Sequence, residues 1–182
     1  MAVQIEYRID EDDRIVYVGG DWTSFALANH GQALTPELVL SESIWGFIAG
    51  DEIAELYRQL FDRLRRSGGE AQVPFRCDAP HERRLIDMFI RSHAGGSLSL
   101  ETVAREVVVR PRLSVFDVDS PRSQDLIRMC AWCVRVYDGV SSWIEIERAA
   151  RVLELFQRDA PPRVTHGVCP ECLAMIEAEY EE

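Results

Sequence analysis

Two cysteine pairs, Cys130-Ala-Trp-Cys133 and Cys169-Pro-Glu-Cys172, constrain this chain more than any other feature. Each CxxC spacing folds readily as a tight turn whose two sulfurs converge on one point. Two such turns complete a tetrahedral all-sulfur site with metal–sulfur bonds of about 2.3 Å. Zinc suits that donor set, and an iron–sulfur cluster takes the same four ligands. Four cysteines leave no open coordination position, so the expectation is a structural staple and not a reaction centre. The 35 residues 134–168 separate Cys133 from Cys169, where zinc ribbons carry about 15–20. A helix is expected to fill this gap. Trp143, Ile146, Ala150, Leu153 and Phe156 recur at helical spacing within Val140 to Gln157, and Asp159, Pro161 and Pro162 stop the pattern. Glu145, Glu147, Arg148 and Arg151 would then lie on its exposed face, available to a partner. Gly167 supplies the positive φ that a second cysteine turn can demand. His166, just before that turn, either replaces a cysteine or hydrogen-bonds a metal-bound sulfur. The second role is preferred, because four cysteines already satisfy the ion.

Composition narrows the function classes. The chain has 182 residues, 47% hydrophobic and 9% aromatic, enough to bury one core of ordinary size plus an appendage. Its formal net charge is −11, and every basic residue is Arg. An acidic surface repels the phosphate backbone, so nucleic acid is not an expected partner. Four thiolates on a divalent ion add about −2 at the site, which Arg128, Arg135 and Arg163 are placed in sequence to offset. No apolar run approaches the roughly 20 residues of a membrane helix. The opening residues, Met-Ala-Val-Gln-Ile-Glu-Tyr, lack a basic region followed by an apolar stretch, so export is not indicated and a cytoplasmic location is expected. Cytosolic thiols stay reduced, which disfavours reading the pairs as disulfides.

The first 119 residues read as mixed α and β. Val3 to Ile9 and Arg14 to Val18 alternate around an Asp10-Glu-Asp-Asp turn, as a β-hairpin does. Asp21 or Thr23 caps a short helix through Ala28. Asp51 is expected to cap the clearest helix, in which Ile53, Leu56, Tyr57, Leu60, Phe61 and Leu64 share one face and Ser67-Gly68-Gly69 ends the element. Three strands follow, approximately Glu70 to Cys77, Arg83 to Ser92 and Ser97 to Arg110. Pro111, Ser120 and Pro121 bracket a last stretch before the cysteines. The expected division is a domain at 1–119 and a four-cysteine, mainly helical tail at 120–182.

Two strands, a run of helices and three antiparallel strands is an element order that resembles a PAS domain. Tyr7-Arg-Ile-Asp with Ile15-Val-Tyr-Val resembles the opening hairpin of that family. Ile44-Trp-Gly-Phe-Ile followed by the helix from Asp51 resembles its "G-x-x-x-x-d-f-i-h-p-e-d" passage. Met129-Cys-Ala-Trp-Cys-Val-Arg-Val and Thr165-His-Gly-Val-Cys-Pro-Glu-Cys resemble the cysteine-bearing tail of some bacterial PAS-type signalling proteins. The resemblance implies an α+β fold with a five-stranded antiparallel sheet, a pocket for a small-molecule ligand, and a sensory or adaptor role. It also implies a protein partner or a homodimer, for which Leu113, Val115 and Phe116 offer apolar surface.

Cofactors beyond the metal find little support. The flavin photosensor segment Asn-Cys-Arg-Phe-Leu is missing, with Phe75-Arg-Cys-Asp at the nearest cysteine, so no flavin is expected. His30, His81 and His93 sit among loop-type residues, which disfavours an axial haem ligand. Trp22, Phe25, Trp45 and Phe47 line a pocket or, more plainly, form core. Arg76 beside Cys77 can lower a thiol pKa and make it redox-sensitive, against the plainer reading of a buried strand cysteine. No Ser-His-Asp set, paired carboxylates or phosphate-cradling loop is found, so the chain is read as a non-enzyme. A redox- or metal-responsive cysteine cluster is the alternative.

Overall fold

The computed structural model describes residues 4–152 and 160–181. A hairpin of β1 (Gln4–Ile9) and β2 (Ile15–Gly20) opens the chain, followed by α1 (Trp22–Ala28), α2 (Pro36–Val39) and α3 (Asp51–Ser67). Strands β3 (Glu70–Arg76), β4 (Glu82–Ser92) and β5 (Leu98–Val109) complete a five-stranded antiparallel sheet of order β2-β1-β5-β4-β3. The chain is therefore α+β. Among the described residues no helix is long and apolar enough to cross a membrane.

Helix α3 forms where the sequence periodicity demands it. Ile53, Ala54, Leu56, Leu60, Phe61 and Leu64 are all buried, against the inner face of the sheet, where Ile9, Val73, Ile90, Leu98 and Leu100 point. Each fully buried large aliphatic or aromatic side chain contributes about 1.5–3 kcal/mol. Asp51 is the first residue of the helix, and Gly50 occupies the cap with φ 97°. The first-turn carboxylates of Asp51 and Glu52 and the last-turn Arg65 and Arg66 match the helix dipole. Gly68 ends the helix at φ 75°, a conformation that costs a side-chain-bearing residue but not glycine.

Residues beyond 120 build a second sheet as well as helices. Strands β6 (Leu126–Cys130), β7 (Val136–Tyr137), β8 (Trp143–Ile144) and β9 (Arg163–Gly167) lie in the order β8-β7-β6-β9, with β6 and β9 parallel. Two helices accompany them, α4 (Ile146–Val152) and α5 (Pro170–Glu181). The expected helix over Val140 to Gln157 begins only at Ile146. The Asp138 carboxylate accepts the amides of Val140, Ser141 and Ser142 at 2.9–3.0 Å and holds those residues in a turn. Leu153, Phe156 and Asp159 of that pattern lie outside the described residues.

The two sheets share a core. Cys130, Trp132, Val168, Cys169, Cys172 and Ile176 pack in the same buried cluster as Ile53, Leu56, Leu60 and Phe61. Leu113 and Val115, expected to offer surface for pairing, are instead buried with Met129, Val134, Val136 and Ile146. The second sheet covers them, so they present no free apolar surface.

Strand β3 is the edge that receives the second sheet. The Arg76 amide donates to the Trp132 carbonyl at 2.6 Å. Pro74, two residues earlier on that same side, has no amide to leave unpaired. The outward side chains seal the seam with charge. The fully buried Asp78 carboxylate pairs with Arg76 and, at 2.9 Å, with Arg110. Arg76 also reaches Glu145 at 3.1 Å and Glu147 at 3.0 Å, and Arg110 reaches Glu147 at 2.9 Å. Glu145 and Glu147, expected to be free for a partner, are therefore held internally. Arg148 and Arg151 remain exposed.

Candidate metal centre

The structure brings Cys130, Cys133, Cys169 and Cys172 together, with all four sulfurs within 4.8 Å of one another. Two different local structures present them. Cys130 ends β6, and Cys130-Ala-Trp-Cys133 turns the chain toward β7, with the Val134 amide donating to the Cys130 carbonyl at 3.0 Å. Val134 holds the turn at φ 64°. That left-handed conformation is costly for a β-branched residue, and its buried side chain, 5% exposed, offsets the cost.

The second pair opens a helix. Cys169 is the residue before α5, Pro170 fills the first helical position, and the Cys172 amide donates to the Cys169 sulfur at 3.5 Å. Cys169 thus acts as a helix cap through sulfur, and the positive end of the helix favours thiolates there. The Cys169 amide in turn donates to the Cys130 sulfur at 3.4 Å. Parallel pairing of β6 with β9 sets Cys130 opposite Gly167 and so aligns the two pairs.

Gly167 does not have the positive φ expected of it. Its lack of a side chain serves Arg128, whose Nε lies 2.4 Å from where a Cβ would stand. His166 is exposed on β9 and is not part of the cysteine group.

The geometry fits a metal ion such as zinc. Cys133 and Cys169 sulfurs are 3.7 Å apart, close to the edge of about 3.8 Å in a tetrahedron with bonds of about 2.3 Å. Cys130, Cys169 and Cys172 are buried, and Cys133 is partly exposed. As thiols alone the four do not ionise together. Hydrogen bonds from Cys133 and Cys172 pull the Cys130 thiol far down, and Cys133 is pushed up to about 12 by donating to Cys130. Cys172 is pushed up through Cys130 and Cys133, and Cys169 by burial. A divalent cation among the four sulfurs would take the place of the protons that those hydrogen bonds and burial retain. Arg135 is the basic neighbour the site uses. Its guanidinium pairs with Glu145 at 2.9 Å and Glu171 at 3.6 Å, and the hydrogen bond to Glu145 does most to hold its charge. Arg128 instead pairs with Glu52, and Arg163 donates to the Gln124 carbonyl.

A second feature adjoins the centre. A cavity of about 280 Å³ lies between the first sheet, α1 and α3, and Tyr7, Trp22, Phe25, Tyr57, Cys77 and Met88 are among its walls. Trp22 and Phe25 therefore line a pocket, whereas Trp45 packs on Phe61 and Phe47 is exposed. Tyr57 stacks on Trp132, between the first two cysteines, with ring centroids 5.2 Å apart. Cys77 is not activated by Arg76, whose guanidinium is occupied by carboxylates. Burial pushes the Cys77 thiol up, with Arg84 opposing more weakly.

Sequence reasoning missed that Cys-Pro-Glu-Cys opens a helix, although Pro at the first position and Glu at the second signal it. It also missed the carboxylate–arginine seam, whose partners stand 69 and 71 residues apart. A scan against protein-family models and a search of the curated proteins find no match to this chain.

Proposed function

We propose that this chain is a non-enzymatic sensory or adaptor module. In this reading a PAS-like domain takes a small molecule in its cavity, and a zinc ion on four cysteines locks the C-terminal segment against that domain. Element order and the central pairing of β1 with β5 support the PAS-like reading. The observation that carries the proposal is the contact of Trp132, inside the first cysteine turn, with Tyr57, a wall of the cavity. A change at either site moves a residue of the other, which is the physical basis of coupling between them. Output passes to a protein partner or a second copy of the chain, with Arg148 and Arg151 on the exposed side of α4.

Hydrogen exchange of the zinc-loaded and chelator-stripped protein tests the reading. Removing zinc is expected to speed exchange in β6 and α5, and also at the Arg76 edge of β3 and around Tyr57 in α3. Changes confined to β6–α5 would remove the coupling and leave a passive staple.

The partial exposure of Cys133 favours a second reading, a thiolate switch. Hydrogen peroxide oxidises two thiolates to a disulfide and is itself reduced to water, which would release the ion. Stoichiometric zinc release under peroxide supports the switch, and unchanged zinc content supports the staple.

A further inference from the structure

The cavity beside Tyr57 carries information about what fits it, and the inference rests on reading that cavity as the module's input site. Its lining is aliphatic and aromatic: Ile5, Leu34, Ile86 and Met88 stand among the rings of Trp22, Phe25 and Phe75. Among the described residues, no Asp, Glu, Arg or His lines it. Two of its polar groups are already engaged. The Trp22 indole donates to the Leu34 carbonyl at 2.7 Å, and the Thr102 hydroxyl donates to the Ile5 carbonyl at 3.4 Å. The Tyr7 and Tyr57 hydroxyls make no hydrogen bond to any described residue, and neither does the Cys77 thiol. Burial holds both phenols above their usual range, with Tyr7 adding to the effect on Tyr57, so both remain protonated donors at neutral pH.

We infer that the cavity binds a small, neutral, mainly apolar molecule that presents one hydrogen-bond acceptor, such as a carbonyl oxygen, to the hydroxyls of Tyr7 and Tyr57. An ion entering this cavity would lose its hydration without gaining a counter-charge, which excludes carboxylates and ammonium groups. A ligand with no acceptor fills the space but leaves the phenols unbonded. Size follows from volume. A cavity of about 150 Å³ holds benzene, so about 280 Å³ admits a single ring with a short substituent or a small bicycle. Helix α1 supplies Trp22, Phe25 and Ala26 to the wall, and none of its seven residues is fully buried.

Calorimetric titration of the zinc-loaded chain with acetophenone, ethylbenzene and benzoate tests this. Acetophenone and ethylbenzene are expected to saturate one site, and benzoate to bind at least about thirty-fold more weakly than acetophenone. The double variant Tyr7→Phe/Tyr57→Phe keeps both rings. It is expected to weaken acetophenone about three- to ten-fold and to leave ethylbenzene within about two-fold, because ethylbenzene makes no such bond. Ala26→Phe, on the α1 wall, should block both. Benzoate binding as tightly as acetophenone, and blocked by Ala26→Phe, would overturn the ligand class while leaving the cavity as an input site. Unchanged acetophenone affinity in the double variant would overturn the role of the phenols. Absence of saturable binding by all three probes would overturn both this inference and the input-site reading.

Discussion

Replacing Trp132 separates two opposed contributions of one side chain. Trp132 is 3% exposed, stacks on Tyr57, and has an indole Nε1 that is buried without a hydrogen-bond partner. Truncation to Ala removes a large buried ring, which costs about 3–5 kcal/mol, of which the stack supplies about 0.5–1.5 kcal/mol. Replacement by Phe keeps a ring against Tyr57 and removes the unpaired N–H, whose burial costs about 1–3 kcal/mol. That relief offsets most of the volume lost, so Trp132→Phe is expected within about 1 kcal/mol of the parent. Urea unfolding followed by far-UV circular dichroism at one fixed zinc concentration measures both variants. The backbone contact from Arg76 to the Trp132 carbonyl is unaffected by either change. Equal destabilisation by Ala and Phe would refute the unpaired-donor argument. A cost below about 1 kcal/mol for Ala would refute the claim that this ring joins the two sheets.

Three further outcomes follow from the charged seam and the cysteine centre. Asp78→Ala leaves the guanidiniums of Arg76 and Arg110 without their buried carboxylate and is expected to cost about 3–5 kcal/mol by urea unfolding; Asp78→Asn should cost less. The Glu147 carboxyl is held below its usual range despite the opposing effect of burial, by its backbone hydrogen bond and by Arg76 and Arg110. A lowered folded-state pKa stabilises above the unfolded value of about 4.3 and is lost as pH falls through the folded value; Glu147→Gln should therefore flatten the acid limb of a stability–pH profile below about pH 4.3. His166→Ala should retain full metal content, since His166 lies outside the sulfur group; metal loss in that variant would make His166 a ligand.

Sequence periodicity reached some of this structure and not the rest, for physical reasons. The apolar face of α3 and the runs that became β3, β4 and β5 are long enough for period to show, and each boundary falls within two residues of its expected place. Strands β7 and β8 have two residues each, too short for any alternation. The parallel pairing of β6 with β9 joins segments more than thirty residues apart and leaves no local signal. Leu113 and Val115 read as surface because what covers them, Met129, Val134 and Ile146, belongs to later elements and leaves no local pattern around them. The four-cysteine cluster was legible because ligand chemistry fixes the spacing within each pair. The cavity was only half legible, since aromatic residues look alike in a core and in a pocket wall until neighbours are placed.

Elemental analysis bears most directly on the central claim that a four-cysteine zinc site locks the C-terminal segment onto the first sheet. Protein purified without chelator should contain one zinc per chain by inductively coupled plasma mass spectrometry, be colourless, and lose the metal in Cys169→Ser. Protein with no metal, or with iron and inorganic sulfide in its place, would contradict the account.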